Sequence, residues 1–289
     1  MITKAIILAA GFGTRFLPAT KIVPKEMLPL IDKPIIQYSV EEAVASGIKE
    51  IILVIRPGVS AIRNHFGSKI SLEKHLLEQD KVNLLEDLKN LAKIAKFSFV
   101  EQDPRLPYGT GAALVSAAKK IKKNEFFVFM FGDDLVKAKI PATKQLLNFW
   151  ARHRQAIILG VAEVPKSQVS RYGILKLKKG TFEVEDLVEK PSPEKAPSRL
   201  ASLGRFILNR DIIDILLEQK EHVTQGKEFY LTEAISAYLK TNKVLAFKIQ
   251  GKWLTTGDPL SWIKATVEFA LGRKDLAPEF RTYLKSLKI

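Results

Sequence analysis

Up to about residue 165 the chain alternates between short, wholly apolar runs and longer segments in which apolar residues recur every third or fourth position. Ala5 to Ala10, Glu50 to Ile55, Phe97 to Val100, Phe126 to Phe131 and Ala156 to Val161 read as strands buried on both faces. Ile36 to Ala45 reads as a helix stopped at Gly47, and Ser60 to His65 as a shorter one. Ser71 to Ala95 is charged and carries leucines at helical spacing (Leu72, Leu76, Leu77, Leu84, Leu85, Leu88, Leu91), while Thr110 to Lys119 and Pro141 to His153 complete the helices. Strands parted by helices over short links predict an α/β fold with a Rossmann-like, mostly parallel mixed sheet and right-handed crossovers.

Beyond that point the rhythm changes. Gly173 to Leu177, Phe182 to Val188 and Arg199 to Leu208 read as strands with no long helix between them, and Ser192 to Pro197 is a proline-rich loop. Helical spacing returns at Asp211, followed by a strand at Val244 to Ile249 and a helical tail from about Ser261. The expected organisation is two halves, 1–165 and 166–289, joined as one continuous domain with a C-terminal helical arm.

At 289 residues and 46% hydrophobic content the chain can bury a sizeable core without cross-links. It holds no cysteine, which excludes disulfides, a thiolate nucleophile and zinc–thiolate sites and fits a cytoplasmic setting. The first apolar run ends in Gly-Phe-Gly-Thr-Arg rather than a small-residue cleavage site, and Phe126 to Phe131 is too short to span a bilayer, so neither a secretory leader nor a membrane partner is expected. The net charge of +15 raises the possibility of nucleic acid. The lysines are scattered in pairs (Lys119-Lys120, Lys122-Lys123, Lys178-Lys179), however, without a basic block interleaved with aromatics, so the charge reads as a solvated surface plus a site for anionic substrates, with no nucleic acid partner.

The candidate chemistry begins where the first strand ends. Leu8-Ala9-Ala10-Gly11-Phe12-Gly13-Thr14-Arg15 leads through Lys21 to Pro24-Lys25-Glu26-Met27-Leu28-Pro29. Small residues let backbone N–H groups approach a polyphosphate, and Arg15, Lys21 and Lys25 supply positive charge. Pro18, Pro24 and Pro29 stiffen this loop and keep it from becoming a long helix. A dinucleotide fingerprint is excluded by Phe16, which stands where the third glycine belongs, and no Gly-Lys-Ser/Thr run exists to make a P-loop. Gly132-Asp133-Asp134 follows the most apolar strand. It reads either as a turn or as a carboxylate at a strand's C-terminal end that can hold Mg²⁺ against phosphates. Gln102, with Tyr108-Gly109-Thr110-Gly111, forms a second glycine-bearing loop before a helix, and a glutamine can both donate to and accept from a uracil edge. The histidines (His65, His75, His153, His222) lie outside every motif.

The run from Ile6 to Pro34 resembles the signature of the nucleoside-diphosphate-sugar pyrophosphorylases. Its form, Gly-Phe-Gly-Thr-Arg-Phe-Leu-Pro-Ala-Thr-Lys with Pro-Lys-Glu-Met-Leu-Pro, resembles the bacterial UTP–glucose-1-phosphate uridylyltransferases, and the likeness extends over nearly the whole chain. The resemblance implies transfer of the uridylyl group of UTP to glucose 1-phosphate, giving UDP-glucose and pyrophosphate, by Mg²⁺-assisted in-line attack without a covalent intermediate. It makes 1–165 the nucleotide half and 166–289 the sugar half. It implies that Arg15 and Lys25 hold the triphosphate, with Gly13 and Thr14 in the same loop, and that Asp133 binds Mg²⁺. Ala9, Ala10, Gly11, Glu26, Gln102 and Gly109 would surround the base. Val188-Glu189-Lys190-Pro191 matches the family's Val-Glu-Lys-Pro, so Lys190 would grip the sugar phosphate and Glu189 the sugar hydroxyls. Arg171-Tyr172-Gly173 and Leu203-Gly204-Arg205 look like the sugar-pocket segments, which adds Gly173, Gly204 and Arg205; Glu228 and Leu231-Thr232 match more weakly.

One departure stands out: Thr255 occupies the position at which many members carry an aspartate, so a second metal ligand is expected to be missing unless Asp134 or Asp258 replaces it. The alternatives within this reading are dTTP or another sugar 1-phosphate as substrate, or a weakly active regulatory homologue. The 71–95 insertion resembles the UTP–glucose type. The resemblance also implies a homodimer or homotetramer.

Overall fold

The computed structural model describes residues 1–224 and 226–287. Strand β1 (Lys4–Ala9) runs into the glycine loop and a small ladder of β2 (Pro29–Leu30) with β3 (Lys33–Pro34), which opens directly into helix α1 (Ile35–Ala45). Then follow β4 (Glu50–Ile55), α2 (Ala61–His65), α3 (Ile70–Glu78), α4 (Val82–Lys93), β5 (Lys96–Glu101), α5 (Thr110–Ser116) and β6 (Phe126–Phe131). In the sheet these strands lie in the order β6-β1-β4-β5, all parallel. The chain leaves β1 toward β4 on one side and later returns to β6 on the other. The order therefore reverses between β1 and β6, and a crevice opens above their C-terminal ends.

The remainder continues the same sheet rather than starting another. After β7 (Asp134–Lys137) and α6 (Ala142–Trp150) come β8 (Ile157–Glu163), β9 (Gly173–Leu177), β10 (Val184–Glu189) and β11 (Leu200–Asn209). Strand β11 is antiparallel to β6, to β8 and to β9, and β10 completes the edge. Helices α7 (Arg210–Gln219) and α8 (Leu231–Leu239) cover one face, β12 (Val244–Lys248) pairs parallel with β8, and β13 (Lys252–Thr255) leads into α9 (Pro259–Ala270) and α10 (Ala277–Ser286). The ladder from β6 to β11 carries the sheet across position 165 without a break.

The apolar runs are continuous because both faces are covered. In β1, Ala5, Ile7 and Ala9 pack toward α1, α6 and the neighbouring Val128 and Met130. Ile6 packs on the opposite side with Phe127, Phe129 and the residues of α5, α7 and α8.

Two features go beyond the sequence reading. The leucine-spaced stretch from 71 to 95 forms two helices, α3 and α4. Asp80 adopts φ 53°, and the Lys81 N–H donates to Leu76 O at 2.9 Å, a left-handed helix stop that an aspartate tolerates. The ladder of β7 with β13, which pairs Asp134 with Thr255, was not anticipated from the sequence.

Candidate active site

The crevice above β1 and β6 is a cavity of about 480 Å³, and a second cavity of about 180 Å³ opens beside it between β9, β10 and the start of α8. The loop after β1 brings Ala10, Gly11 and Arg15 to the larger cavity, and a single helical turn (Lys25–Met27) brings Lys25 and Glu26. Gly132 is held against β1 by its N–H bond to Leu8 O at 2.9 Å, which sets Asp133 and Asp134 at the cavity wall. Gln102, Tyr108, Gly109 and Thr110 form the opposite wall. Gly109 has φ 146°, and a side chain there would collide with the backbone of Phe229, so only glycine fits. The same loop is fastened by Phe229 N–H to Tyr108 O at 2.7 Å and Leu231 N–H to Thr110 Oγ1 at 2.9 Å.

The floor is strongly charged. Lys25 Nζ lies 2.5 Å from Asp133 Oδ2 and 3.8 Å from Glu26 Oε1. Burial alone would lower the Lys25 pKa, but the facing carboxylates outweigh it and hold the ammonium above the ordinary lysine value. Burial likewise opposes ionisation of Asp133, yet Lys25 keeps it below the usual carboxylate range. Asp134 has no such partner. Burial and the adjacent Asp133 push it up to about 6, while its Oδ1 accepts from Trp253 Nε1 at 3.1 Å. Arg15 Nη1 donates to Gly257 O at 3.3 Å, which carries the start of the C-terminal arm to the cavity mouth.

Glu26 is only 1% exposed, and its Oε2 has no hydrogen-bond partner among the described residues. Burial, against the pull of Lys25, raises its pKa from 4.5 to about 7. The native state therefore takes up a proton that the unfolded chain at that pH does not, and this group's contribution to stability falls as pH rises from 4.5 through 7. Glu26→Gln is expected to be more stable than wild type at pH 8 by on the order of 3 kcal/mol, with the gain shrinking toward pH 5. Denaturant melts at the two pH values measure it; a pH-independent difference would show that Lys25 keeps the carboxylate ionised throughout.

In the smaller cavity Gly173, Glu189, Lys190, Glu228, Tyr230 and Thr232 converge. Lys190 Nζ lies 3.2 Å from Tyr230 Oη and 3.5 Å from Glu228 Oε2, with the Tyr230 ring centroid 4.7 Å away. Its backbone sits at φ 45°, strained for a residue that precedes a proline, and is pinned by its N–H to Tyr172 O at 3.0 Å. Burial pushes the buried Glu189 carboxyl up.

The two cavities thus collect Ala10, Gly11, Arg15, Lys25, Glu26, Gln102, Gly109 and Asp133 at the first, and Gly173, Glu189 and Lys190 at the second. Ala9 is buried in the core, Thr14 is exposed outside the larger cavity, and the Gly13 carbonyl accepts from Thr20 Oγ1 at 2.7 Å. None of these three is among the residues that line the larger cavity. Arg205 is a correction. Its guanidinium is 0% exposed and spends its N–H groups on Glu42 (3.0 and 2.9 Å), Phe131 O, Gly204 O and Asp134 O, so it cannot reach a sugar. It clamps the end of β6 from behind. Gly204 touches the site only through Phe131, whose ring fills the space a side chain there would need. Sequence reasoning missed Tyr230. The signal available was its place between Glu228 and Leu231-Thr232, in a stretch given low weight.

The profile of the nucleotidyl transferase family matches residues 4–270. The chain belongs to that family. A relative from Staphylococcus epidermidis, a UTP–glucose-1-phosphate uridylyltransferase, is 41% identical over 291 aligned positions, spanning 100% of this chain and 99% of its own. Among solved nucleotidyl transferases, the UTP-bound UDP-glucose pyrophosphorylase of Acinetobacter baumannii superposes with a TM-score of 0.89 at 32% identity, covering all of both chains. A UDP-glucose pyrophosphorylase complexed with UDP-glucose superposes with a TM-score of 0.83 at 34% identity, covering 94% of this chain and 100% of its own. Within the nucleotidyl transferase fold of this chain, no helix of the described residues is long and apolar enough to cross a membrane.

Proposed function

We propose that the protein transfers the uridylyl group of UTP to glucose 1-phosphate, releasing pyrophosphate and leaving UDP-glucose. The observation that carries this reading is a pair of adjoining cavities with Arg15 and Lys25 in the larger and Lys190 at their junction, in a chain similar along its whole length to uridylyltransferases of that specificity.

The chemistry needs neither a general base nor a covalent nucleophile. A sugar phosphate has its second pKa at about 6 and is largely dianionic at neutral pH. One of its oxygens attacks the α-phosphorus of UTP in line, the bond to the β-phosphate oxygen breaks on the far side, and pyrophosphate carries the electron pair away. The obstacle is repulsion between two polyanions, so the work of the protein is positioning and charge neutralisation. Lys25 and Arg15 take the triphosphate, with backbone N–H groups of the Gly11 loop beside them. Lys190 holds the incoming phosphate at the junction of the cavities. Gln102 and the loop at Gly109 take the uracil edge, with Glu26 beside it, and Glu189 takes sugar hydroxyls.

The donor set suits a hard divalent cation. Asp133 and Asp134 are adjacent in the wall, and burial together with the neighbouring Asp133 carboxylate holds Asp134 up at about 6. Asp133 would hold Mg²⁺, with Asp134 beside it, and the ion would supply charge neutralisation at the phosphates. Thr255, paired with Asp134 across the β7–β13 ladder, brings a neutral hydroxyl to the same wall. Thr255→Asp is accordingly expected to lower the Mg²⁺ concentration that gives half-maximal rate; an unchanged requirement would place Thr255 outside the ion's reach.

Pyrophosphate release across a matrix of nucleoside triphosphates and sugar 1-phosphates, with and without Mg²⁺, tests the assignment. The expected result is a maximum at UTP with glucose 1-phosphate and none without the metal. A maximum at dTTP would move the assignment to another transferase, and absence of turnover with every pair would favour a regulatory homologue.

A further inference from the structure

The two cavities share a narrow ring of residues, and the charged side chains common to both are Lys190, Arg171, Asp134 and Glu228. A ligand with its base in the larger cavity and its sugar in the smaller one threads its phosphates through this ring. Lys190 and Arg171 are thus the cations that this ring offers to those phosphates, beside Arg15 and Lys25 in the larger cavity, and each rests on an acid: Lys190 on Glu228, Arg171 on Asp258.

The Arg171 pair is built to open. Arg171 Nη2 donates to Asp258 Oδ2 at 2.5 Å, and no other N–H of this guanidinium bonds a protein acceptor among the described residues. Its side chain is 40% exposed and leans on the Tyr172 ring, whose centroid is 5.8 Å away. Asp258 does not depend on it. As the N-cap of α9 it accepts from Ser261 N–H at 3.0 Å and from Ser261 Oγ at 2.9 Å, so its carboxylate stays satisfied when the guanidinium leaves. A guanidinium presents a planar fork that matches two oxygens of one phosphate, a match that the Lys190 ammonium cannot make.

We propose that Arg171 is a phosphate ligand of the substrate complex, able to leave its pairing with Asp258 for the sugar-side phosphate, beside Lys190, when substrate binds. The role rests on the function proposed above and adds to it the residue that discriminates a bridged nucleotide sugar from a free nucleotide.

Calorimetric titration of the full chain with UDP-glucose and with UTP, each with Mg²⁺, tests this in wild type, Arg171→Gln, Arg171→Lys and Asp258→Asn. Arg171→Gln is expected to weaken UDP-glucose about 10- to 100-fold, the loss of one charge-assisted pair, and UTP less than about threefold. Arg171→Lys, which keeps the charge without the fork, is expected to fall between wild type and Arg171→Gln, and it carries the test if the glutamine variant folds poorly. Asp258→Asn still caps α9 but releases the guanidinium, so it is expected to bind UDP-glucose at least as tightly as wild type. The proposal is overturned if Arg171→Gln binds UDP-glucose within about twofold of wild type. It is equally overturned if Arg171→Gln and Asp258→Asn lose UDP-glucose affinity to the same extent, which would mark the pair as a strut holding the C-terminal arm. A wild-type chain that binds neither ligand would instead remove the functional reading itself, and this role with it.

Discussion

Lys25→Ala is expected to lower kcat/KM by on the order of a thousandfold, the largest effect of any single substitution in the site. Lys25 is the counter-charge of the buried floor, 2.5 Å from Asp133 and 3.8 Å from Glu26, and under the proposed function also the cation for the triphosphate. Its removal takes away the nearest cation and leaves Asp133 buried beside Asp134 with Arg15 as its remaining counter-charge, so Asp133 moves toward its neutral form. The damage is therefore double: the triphosphate loses a charge, and the carboxylate meant for the divalent ion loses its ionisation. Lys25→Arg is expected to rescue little, because a planar fork cannot occupy the point position that the ammonium holds between two acids. Steady-state kinetics in both substrates, with a melting curve to confirm folding, measure the effect. A loss of tenfold or less in a folded variant would show that Lys25 is a structural counter-ion only.

Lys190→Ala is expected to reduce kcat/KM by on the order of a hundredfold or more. Under the proposed function the loss is carried by the sugar phosphate, since Lys190 lines both cavities, whereas Lys25 and Arg15 line only the larger one. The ammonium is oriented by Tyr230 Oη and the Tyr230 ring, and the strained backbone at φ 45° aims it from the end of β10. An anion arriving there exchanges a distant acid, Glu228 at 3.5 Å, for direct contact with phosphate oxygens. UTP binding is expected to change little, and a tenfold or smaller loss in kcat/KM would take Lys190 out of the mechanism.

How much of this was readable varies by residue. The strands were legible because burial on both faces demands uninterrupted apolar runs, a signal that β1, β4 and β6 carry plainly. Lys25, Asp133, Gln102 and Gly109 stood out as candidates because glycine, proline and charge gather where strands end, and the structure brings all four to one cavity. Arg205 was misread for a definite reason. The Gly204-Arg205 pair looks like one unit in sequence, but along a strand adjacent side chains face opposite sides. Gly204 faces Phe131, while Arg205 turns to Glu42 beneath the Asp133 loop. The break at Asp80 was hidden because its leucine spacing continues across a left-handed turn that no glycine announces.

Local pattern alone determined the α/β class and the glycine- and charge-bearing loops at the strand ends, because each follows from how side chains sit on their own strand or helix; the assignment of Lys190 to a second phosphorylated substrate came from the resemblance of its motif. Tertiary structure alone decided which distant groups meet: Lys25 with Asp133 across 108 positions, Lys190 with Tyr230 across 40, Arg171 with Asp258 across 87. Those pairings depend on strand order and on where the C-terminal arm crosses the sheet. Side-chain charges acquire definite strength only when burial and a partner's distance are set, and neither quantity is a property of the chain before it folds.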